Sequence, residues 1–189
     1  MAVADPIRDK KQLRRLGEYW LSRSNFRNYV LIVLGAHTAL RIGDLLGLKW
    51  NNVYDEESET FRTYIILTEE KTGKPQVIAL NPKAVEALRL YLPHRRGEYI
   101  FVSNRKDEKA ISRVQAWRII HIAAEAIKAV GNITCHSLRK TFGYFAWKMG
   151  ILPMLLMSIF NHCSFETTRR YLGITQDDRD EVYMKMSLF

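Results

Sequence analysis

At 189 residues, with 47% hydrophobic and 26% charged side chains, the chain is long enough for a sizeable core and too apolar to be disordered. Lys and Arg number 29 against 20 Asp and Glu, giving a net charge of +9 that points toward a polyanionic partner. Two cysteines, Cys135 and Cys163, form no CxxC pair and exclude a disulfide framework, so a reduced, cytoplasmic compartment is expected.

Asp9 is a candidate N-cap for a first helix in which Leu13, Leu16, Tyr19 and Trp20 recur at helical spacing. Lys10, Lys11, Arg14 and Arg15 form its solvated face. A second, largely buried helix is predicted from Arg27 to Leu40. It leads into Thr38-Ala39-Leu40-Arg41-Ile42-Gly43-Asp44-Leu45-Leu46, where Arg41 sits in apolar surroundings. An Arg is rarely buried without an anion. Either Asp44, three residues on, neutralises it, or it points into a cleft that an external anion completes.

Past the acidic turn Asp55 to Glu59 the pattern alternates with period two. Strands are expected over Thr60–Leu67 and Gln76–Leu80, joined by a hairpin loop that carries Lys71. Asn81-Pro82 opens a helix with apolar Val85, Leu88 and Leu92, and Tyr99 to Val102 reads as a short extended segment. Ser112 caps a long helix toward Val130, with Val114, Trp117, Ile120, Ala124 and Ile127 as its expected buried stripe.

Thr134 is a plausible N-cap for a helix through Cys135-His136-Ser137-Leu138-Arg139-Lys140-Thr141, ending near Gly150. On a helix, His136 and Arg139 share a face. A proton carrier beside an anion-binding fork suits phosphoryl chemistry, although the pair alone arises often by chance. Pro153 to Phe160 forms a further helix. Ser164 then caps a short helix that bears Tyr171 and closes at Gly173. Thr175 and Asp178 resemble a capping box for a tail helix carrying Val182, Tyr183, Met186 and Phe189. No transmembrane span is expected, because Gly143 to Phe160 is interrupted by Lys148, Gly150 and Pro153.

Arg41, Lys71, His136, Arg139, His162 and Tyr171 occur in an order that resembles the catalytic domain of the tyrosine recombinase (phage integrase) family. The motifs are the segment around Arg41, the Lys71 hairpin, His136-x-x-Arg139, and Asn161-His162-Cys163-Ser164-Phe165-Glu166-Thr167-Thr168-Arg169-Arg170-Tyr171. The last is similar to the family's Gly-His-Ser-Ser-x-x-Thr-Thr-x-x-Tyr box. This resemblance implies an α+β, mostly helical fold with a small antiparallel sheet, and site-specific recombination of double-stranded DNA without a metal or other cofactor. Tyr171 would attack the scissile phosphate to give a 3′-phosphotyrosyl link, and Arg41 and Arg139 would clamp the non-bridging oxygens. His136 would act as general base or transition-state hydrogen bonder, Lys71 would protonate the departing 5′-oxygen, and His162 would donate to a phosphate oxygen. Asp44 would support Arg41.

Three residues depart from the family pattern: Asn161 replaces Gly, Cys163 replaces Ser, and Lys140 stands where many members have His. The resemblance also implies a single catalytic domain over residues 1–189 without the family's N-terminal core-binding domain, acting in the cytoplasm on the bacterial nucleoid. A tail over residues 174–189 would pack on its own domain or dock onto a neighbouring protomer, the chain being a monomer without DNA. Three other readings stay open. They are a type IB topoisomerase-like relaxing enzyme, a DNA-binding regulator on the same scaffold, and a zinc site from Cys135-His136 and His162-Cys163. The zinc site lacks the usual ligand spacing.

Overall fold

The computed structural model describes residues 4–104, 108–174 and 176–187. Helix α1 (Lys10–Leu21) starts where the Asp9 side chain accepts from the Lys11 N–H. Helix α2 (Phe26–His37) is central, with Val30, Leu31, Ile32 and Leu34 at most 1% exposed. A helix apolar on so many sides has to be enclosed. It ends at His37 and not, as predicted, at Leu40. The Thr38 hydroxyl folds back onto the Leu34 carbonyl at 2.8 Å, and Ala39 takes φ 55°. That turn makes Arg41 the extended N-cap of α3 (Ile42–Leu46), and its side chain reaches Glu69 and the Phe160 carbonyl.

Two small antiparallel ladders follow. The predicted strand Thr60–Leu67 is in fact two strands separated by a bend at residues 62–63. Strand β1 (Tyr54–Asp55) pairs with β2 (Thr60–Phe61), and β3 (Tyr64–Thr68) pairs with β4 (Pro75–Ala79), in register from Tyr64↔Ala79 to Thr68↔Pro75. The bend arises because the Arg62 N–H turns away to the Val53 carbonyl at 2.8 Å. In place of the extended segment expected from Tyr99 to Val102, a turn at residues 100–101 separates two isolated bridges, Tyr99 to Lys49 and Val102 to Ala110.

Helix α4 (Pro82–Tyr91), capped by Asn81, buries Ala84, Ala87, Leu88 and Tyr91 against α2. Helix α5 (Arg113–Ala126) is shorter than predicted, and its buried face is rotated. Ala116, Ile119, Ile120, Ala123 and Ala124 face inward, whereas Val114 and Trp117 are exposed. The alanines allow close approach to α1, a choice that side-chain bulk alone misjudges. Trp117 instead stacks on His121 with centroids 4.7 Å apart.

Helix α6 (Cys135–Lys148) starts in a reciprocal cap between Thr134 and Ser137. It is followed by α7 (Pro153–Phe160), α8 (Phe165–Leu172) and α9 (Gln176–Lys185). Where α6 meets α7, a Cβ on Gly143 would lie 2.8 Å from Phe160 Cζ. The missing side chain is therefore what lets Phe160 and Leu172, both fully buried, close beneath α6. Thr175, half of the expected capping box, and Phe189 lie outside the described residues. Among the described residues, no helix is long and apolar enough to cross a membrane.

Candidate active site

The site forms where the turn after α2, the β3–β4 hairpin, the first turns of α6, the α7–α8 junction and α8 converge. Arg139, three residues into α6 from His136, is 2% exposed. Its Nη1 donates to the Ala39 carbonyl, which the left-handed turn presents, and its Nη2 donates to the Phe160 carbonyl at 2.7 Å. Its Nε is buried without a hydrogen-bond partner among the described residues. Burial, then the neighbouring Arg41, brings the guanidinium pKa down to about 10, so it stays charged at neutral pH.

Arg41 reaches the same carbonyl, with Nη2 3.3 Å from the Phe160 oxygen. Its Nη1 pairs with the Glu69 carboxylate at 2.6 Å. Two guanidinium groups are thus drawn to one backbone oxygen, and only fixed dipoles and a carboxylate offset the repulsion between them. Asp44, expected to neutralise Arg41, does not. Its Oδ1 accepts from the Glu70 N–H at 2.8 Å. The reason is local: Arg41 is an N-cap in extended conformation, so the helical i,i+3 neighbour rule does not apply to it. Asp44 supports the hairpin base instead.

His162 follows Asn161, which ends α7 in the left-handed region at φ 50°. Asn tolerates that conformation better than most side chains, which explains how it replaces the expected Gly. The His162 Nδ1 lies 3.0 Å from the buried Thr168 hydroxyl. The ring stacks on Phe160 at 5.2 Å and meets the Tyr171 ring edge-on at 4.6 Å. Burial, then Arg139 and Arg41, lowers the His162 pKa to about 4, so the imidazole is neutral at pH 7.

Tyr171 lies on α8, its ring 5.6 Å from that of Phe160 and 5.8 Å from the Arg139 guanidinium. The end of α8 is fastened by Leu172 in the core and by Arg8 Nη2 on the Gly173 carbonyl at 2.6 Å. Lys140 adds a cation 5.7 Å from the Tyr171 ring while donating to the Ala4 carbonyl at 2.8 Å. His136 sits at the exposed rim of α6. Burial of its base, then Arg139, Lys140, Arg41 and Lys71, lowers its pKa. Lys71 stands in the hairpin turn, exposed and without a hydrogen bond or ion pair to the described residues.

Arg41, His136, Arg139, His162 and Tyr171 therefore share one locale, with Lys71 near enough to act electrostatically on His136. Sequence reasoning missed Glu69 and the role of Thr168. Glu69 follows a strand in an ordinary-looking acidic turn, and only tertiary structure brings it to Arg41. Thr168 had a signal, the paired threonines. Thr167 serves the helix cap on Ser164, and Thr168 orients His162. The thiols are dispersed: burial raises the half-buried Cys135 to about 11, and Cys163 is exposed. Among the described residues no three His, Cys, Asp or Glu side chains cluster as metal ligands. A groove of about 1000 Å³ between α1, α2, α6 and α7 contains none of the six predicted catalytic residues.

The profile of the phage integrase family matches residues 8–177. The chain is 34% identical over 184 residues to the probable integrase/recombinase YoeC of Bacillus subtilis (strain 168), covering 97% of each. It is 27% identical over 168 residues to tyrosine recombinase XerA of Pyrococcus horikoshii, covering 87% of this chain and 56% of that protein. Its fold superposes on a crystal structure of XerA recombinase with a TM-score of 0.76 and 25% identity, covering 98% of this chain and 63% of that one. The post-cleavage complex of XerH with palindromic difH substrate has the same fold, with a TM-score of 0.77 at 18% identity, covering 98% of this chain and 54% of that one. The chain thus spans little more than half the length of these Xer proteins.

Proposed function

The chain belongs to the phage integrase family of site-specific DNA recombinases, and we propose that Tyr171 is its nucleophile and that Arg41, Lys71, His136, Arg139 and His162 are its catalytic partners. The observation that carries this reading is the meeting of two arginine forks at the Phe160 carbonyl beside the Tyr171 ring. Arg139 has five N–H donors, of which Nη1 and Nη2 each make one hydrogen bond, while Nε has no partner among the described residues. A scissile phosphate placed there would receive donors from both arginines as charge builds in the pentacoordinate transition state.

In cleavage the Tyr171 oxygen forms a bond to phosphorus and the bond from phosphorus to the 5′-oxygen breaks. The phenol proton passes to His136, whose pKa is lowered by burial first and then by its cationic neighbours. Lys71 gives a proton to the departing 5′-oxygen, swinging in on the hairpin. His162, held by Thr168, donates to a phosphate oxygen through its other ring nitrogen. Attack by another strand's 5′-hydroxyl reverses each step. The bond energy stays in the phosphotyrosine, so rejoining needs no nucleotide, and these side chains supply the chemistry without a metal.

We further propose that the partner is double-stranded DNA, that the enzyme works in the cytoplasm on the nucleoid, and that the chain is a monomer until DNA assembles it. Helix α9 leaves Val182, Tyr183, Met184 and Met186 exposed while Lys148 holds it to the body through Asp178 and Glu181. These apolar residues suit docking on a neighbouring copy. The test is a nicked suicide duplex from the element's own recombination site, incubated in EDTA with wild type and with Tyr171→Phe. A covalent adduct on a denaturing gel is expected for wild type and absent for the variant. Rejoining only to the original strand would mark a relaxing enzyme, and tight binding with no adduct would mark a regulator.

A further inference from the structure

Glu69 is 1% exposed, yet its carboxylate contacts three separate parts of the site. Oε1 pairs with Arg41 Nη1 at 2.6 Å. Oε2 accepts from the Thr72 hydroxyl at 2.6 Å and from the Asn161 side-chain amide at 3.0 Å. Thr72 adjoins Lys71 in the hairpin turn, and Asn161 adjoins His162. The turn is closed beneath Lys71 by Glu69 N–H to the Lys74 carbonyl and by Gly73 N–H to the Glu69 carbonyl, each at 2.9 Å. One residue on, the Glu70 N–H is fixed by Asp44.

Burying an ion pair is weak evidence of a stabilising role, because desolvation offsets much of the attraction. Burial pushes the Glu69 carboxyl up, but the hydrogen bonds from Thr72, Asn161 and Arg41 outweigh it and hold the group below the ordinary carboxylate range. A carboxylate kept charged in a cationic site, with contacts to Thr72 and Gln76 on the hairpin, to Asn161 and to Arg41, is suited to setting geometry. The Asn161 amide is a contact that the glycine usual at this position could not make.

We propose that Glu69 is a positioning residue for DNA cleavage, whose carboxylate ties the Lys71 hairpin and the His162 junction to Arg41. The proposal rests on the recombinase reading above. When the hairpin and junction are free of this tie, the hairpin base no longer aims Lys71 as it swings toward the leaving oxygen, and a misplacement of about 1 Å costs on the order of 100-fold in rate.

The test uses the isosteric Glu69→Gln and, at the other end of the bond, Asn161→Gly, which keeps the left-handed backbone. Single-turnover adduct formation is measured on two suicide duplexes, one with the normal bridging 5′-oxygen and one with a bridging 5′-sulfur. A thiolate departs without a proton, so the sulfur substrate does not need Lys71. Glu69→Gln is expected to slow the oxygen substrate by about 100-fold and the sulfur substrate far less, with DNA affinity little changed. Equal slowing of both substrates, as a merely structural defect would give, or no slowing, overturns the proposal.

Amide hydrogen exchange of the DNA-free protein gives a second readout. Both variants should exchange faster at residues 70–74 and 161–163 together, with α4 unchanged. An unaffected hairpin in Asn161→Gly would overturn the tie. If wild type forms no adduct on any duplex, it is the recombinase reading that falls, and the exchange experiment still decides whether Glu69 couples these segments.

Discussion

The two halves of the proposed site, a phosphate clamp and a leaving-group arm, are built in opposite ways. The phosphate clamp is buried and already hydrogen-bonded: Arg139 on the Ala39 and Phe160 carbonyls, Arg41 on Glu69, and His162 on Thr168. The leaving-group arm is an exposed hairpin tip whose Lys71 has no hydrogen bond or ion pair to the described residues. Groups that stabilise transition-state charge gain most from being fixed before substrate arrives, because no reorganisation is then needed during reaction. A proton donor must meet an oxygen that moves away, and it gains from reach. Damage to the clamp should therefore harm folding and catalysis together, whereas damage to the arm should harm catalysis alone.

The widest separation is expected between Arg139→Ala and Lys71→Ala. Removing Arg139 strands the buried Ala39 carbonyl, leaves the Phe160 carbonyl to Arg41 alone and takes an electrostatic partner from Tyr171. Folding stability should fall by about 2 kcal/mol, and adduct formation by about 1000-fold. Lys71→Ala should slow adduct formation by about 100-fold and leave the denaturation midpoint in place. Chemical denaturation beside single-turnover cleavage distinguishes the two. A destabilised Lys71→Ala would break the comparison.

Gly143→Ala tests the clamp from behind. The added Cβ would lie 2.8 Å from Phe160 Cζ and 3.3 Å from Leu172 Cδ2, in a part of the core with no flexible polar chain to give way. A loss of about 1–3 kcal/mol is expected from overpacking. Cleavage should slow as well, because Phe160 carries the carbonyl that both arginines share. Retained stability would mean that α7 moves freely, contrary to a fixed clamp.

The same division governs how much was legible in the sequence. The helix caps at Asp9, Asn81, Ser112 and Ser164 could be read because a cap is a local bond, and each side chain makes it. The proposed site residues could be named because their types and spacing resemble a family pattern, and the fold brings Arg41, His136, Arg139, His162 and Tyr171 into one locale. The Arg41–Glu69 pair could not, since it links residues far apart in the chain and depends on the left-handed turn at Ala39. Spacing offered Asp44 as one of two readings for Arg41, and with Arg41 in extended conformation the pair forms with Glu69 instead. The stripe on α5 held at Ile120, Ala124 and Ile127 but failed at Val114 and Trp117 for a related reason, because packing there selected Ala116 and its neighbours over the larger side chains. Asn161 was visible as a departure from the pattern, but its bond to Glu69 required the fold.

The smallest effect expected is a pH dependence, and it too belongs to the clamp. His162 is lowered from an ordinary 6.5 to about 4, by burial first and then by Arg139 and Arg41. His136 is lowered by burial and the same cations with Lys140 and Lys71. Between pH 6.5 and about 4, the unfolded chain binds a proton at His162 that the folded chain refuses. Stability is therefore complete above 6.5 and declines as pH falls through that window. Melting temperature measured from pH 7 to 5, above the range where carboxylates titrate, should fall, and His162→Gln should flatten the decline. A phosphate reverses the sign locally, since an anion beside the arginines favours the imidazolium. DNA binding should then take up protons near pH 6, seen as different calorimetric heats in buffers of unequal ionisation enthalpy. Equal heats would mean that the phosphate never comes near His162, and the clamp would have to be redrawn without it.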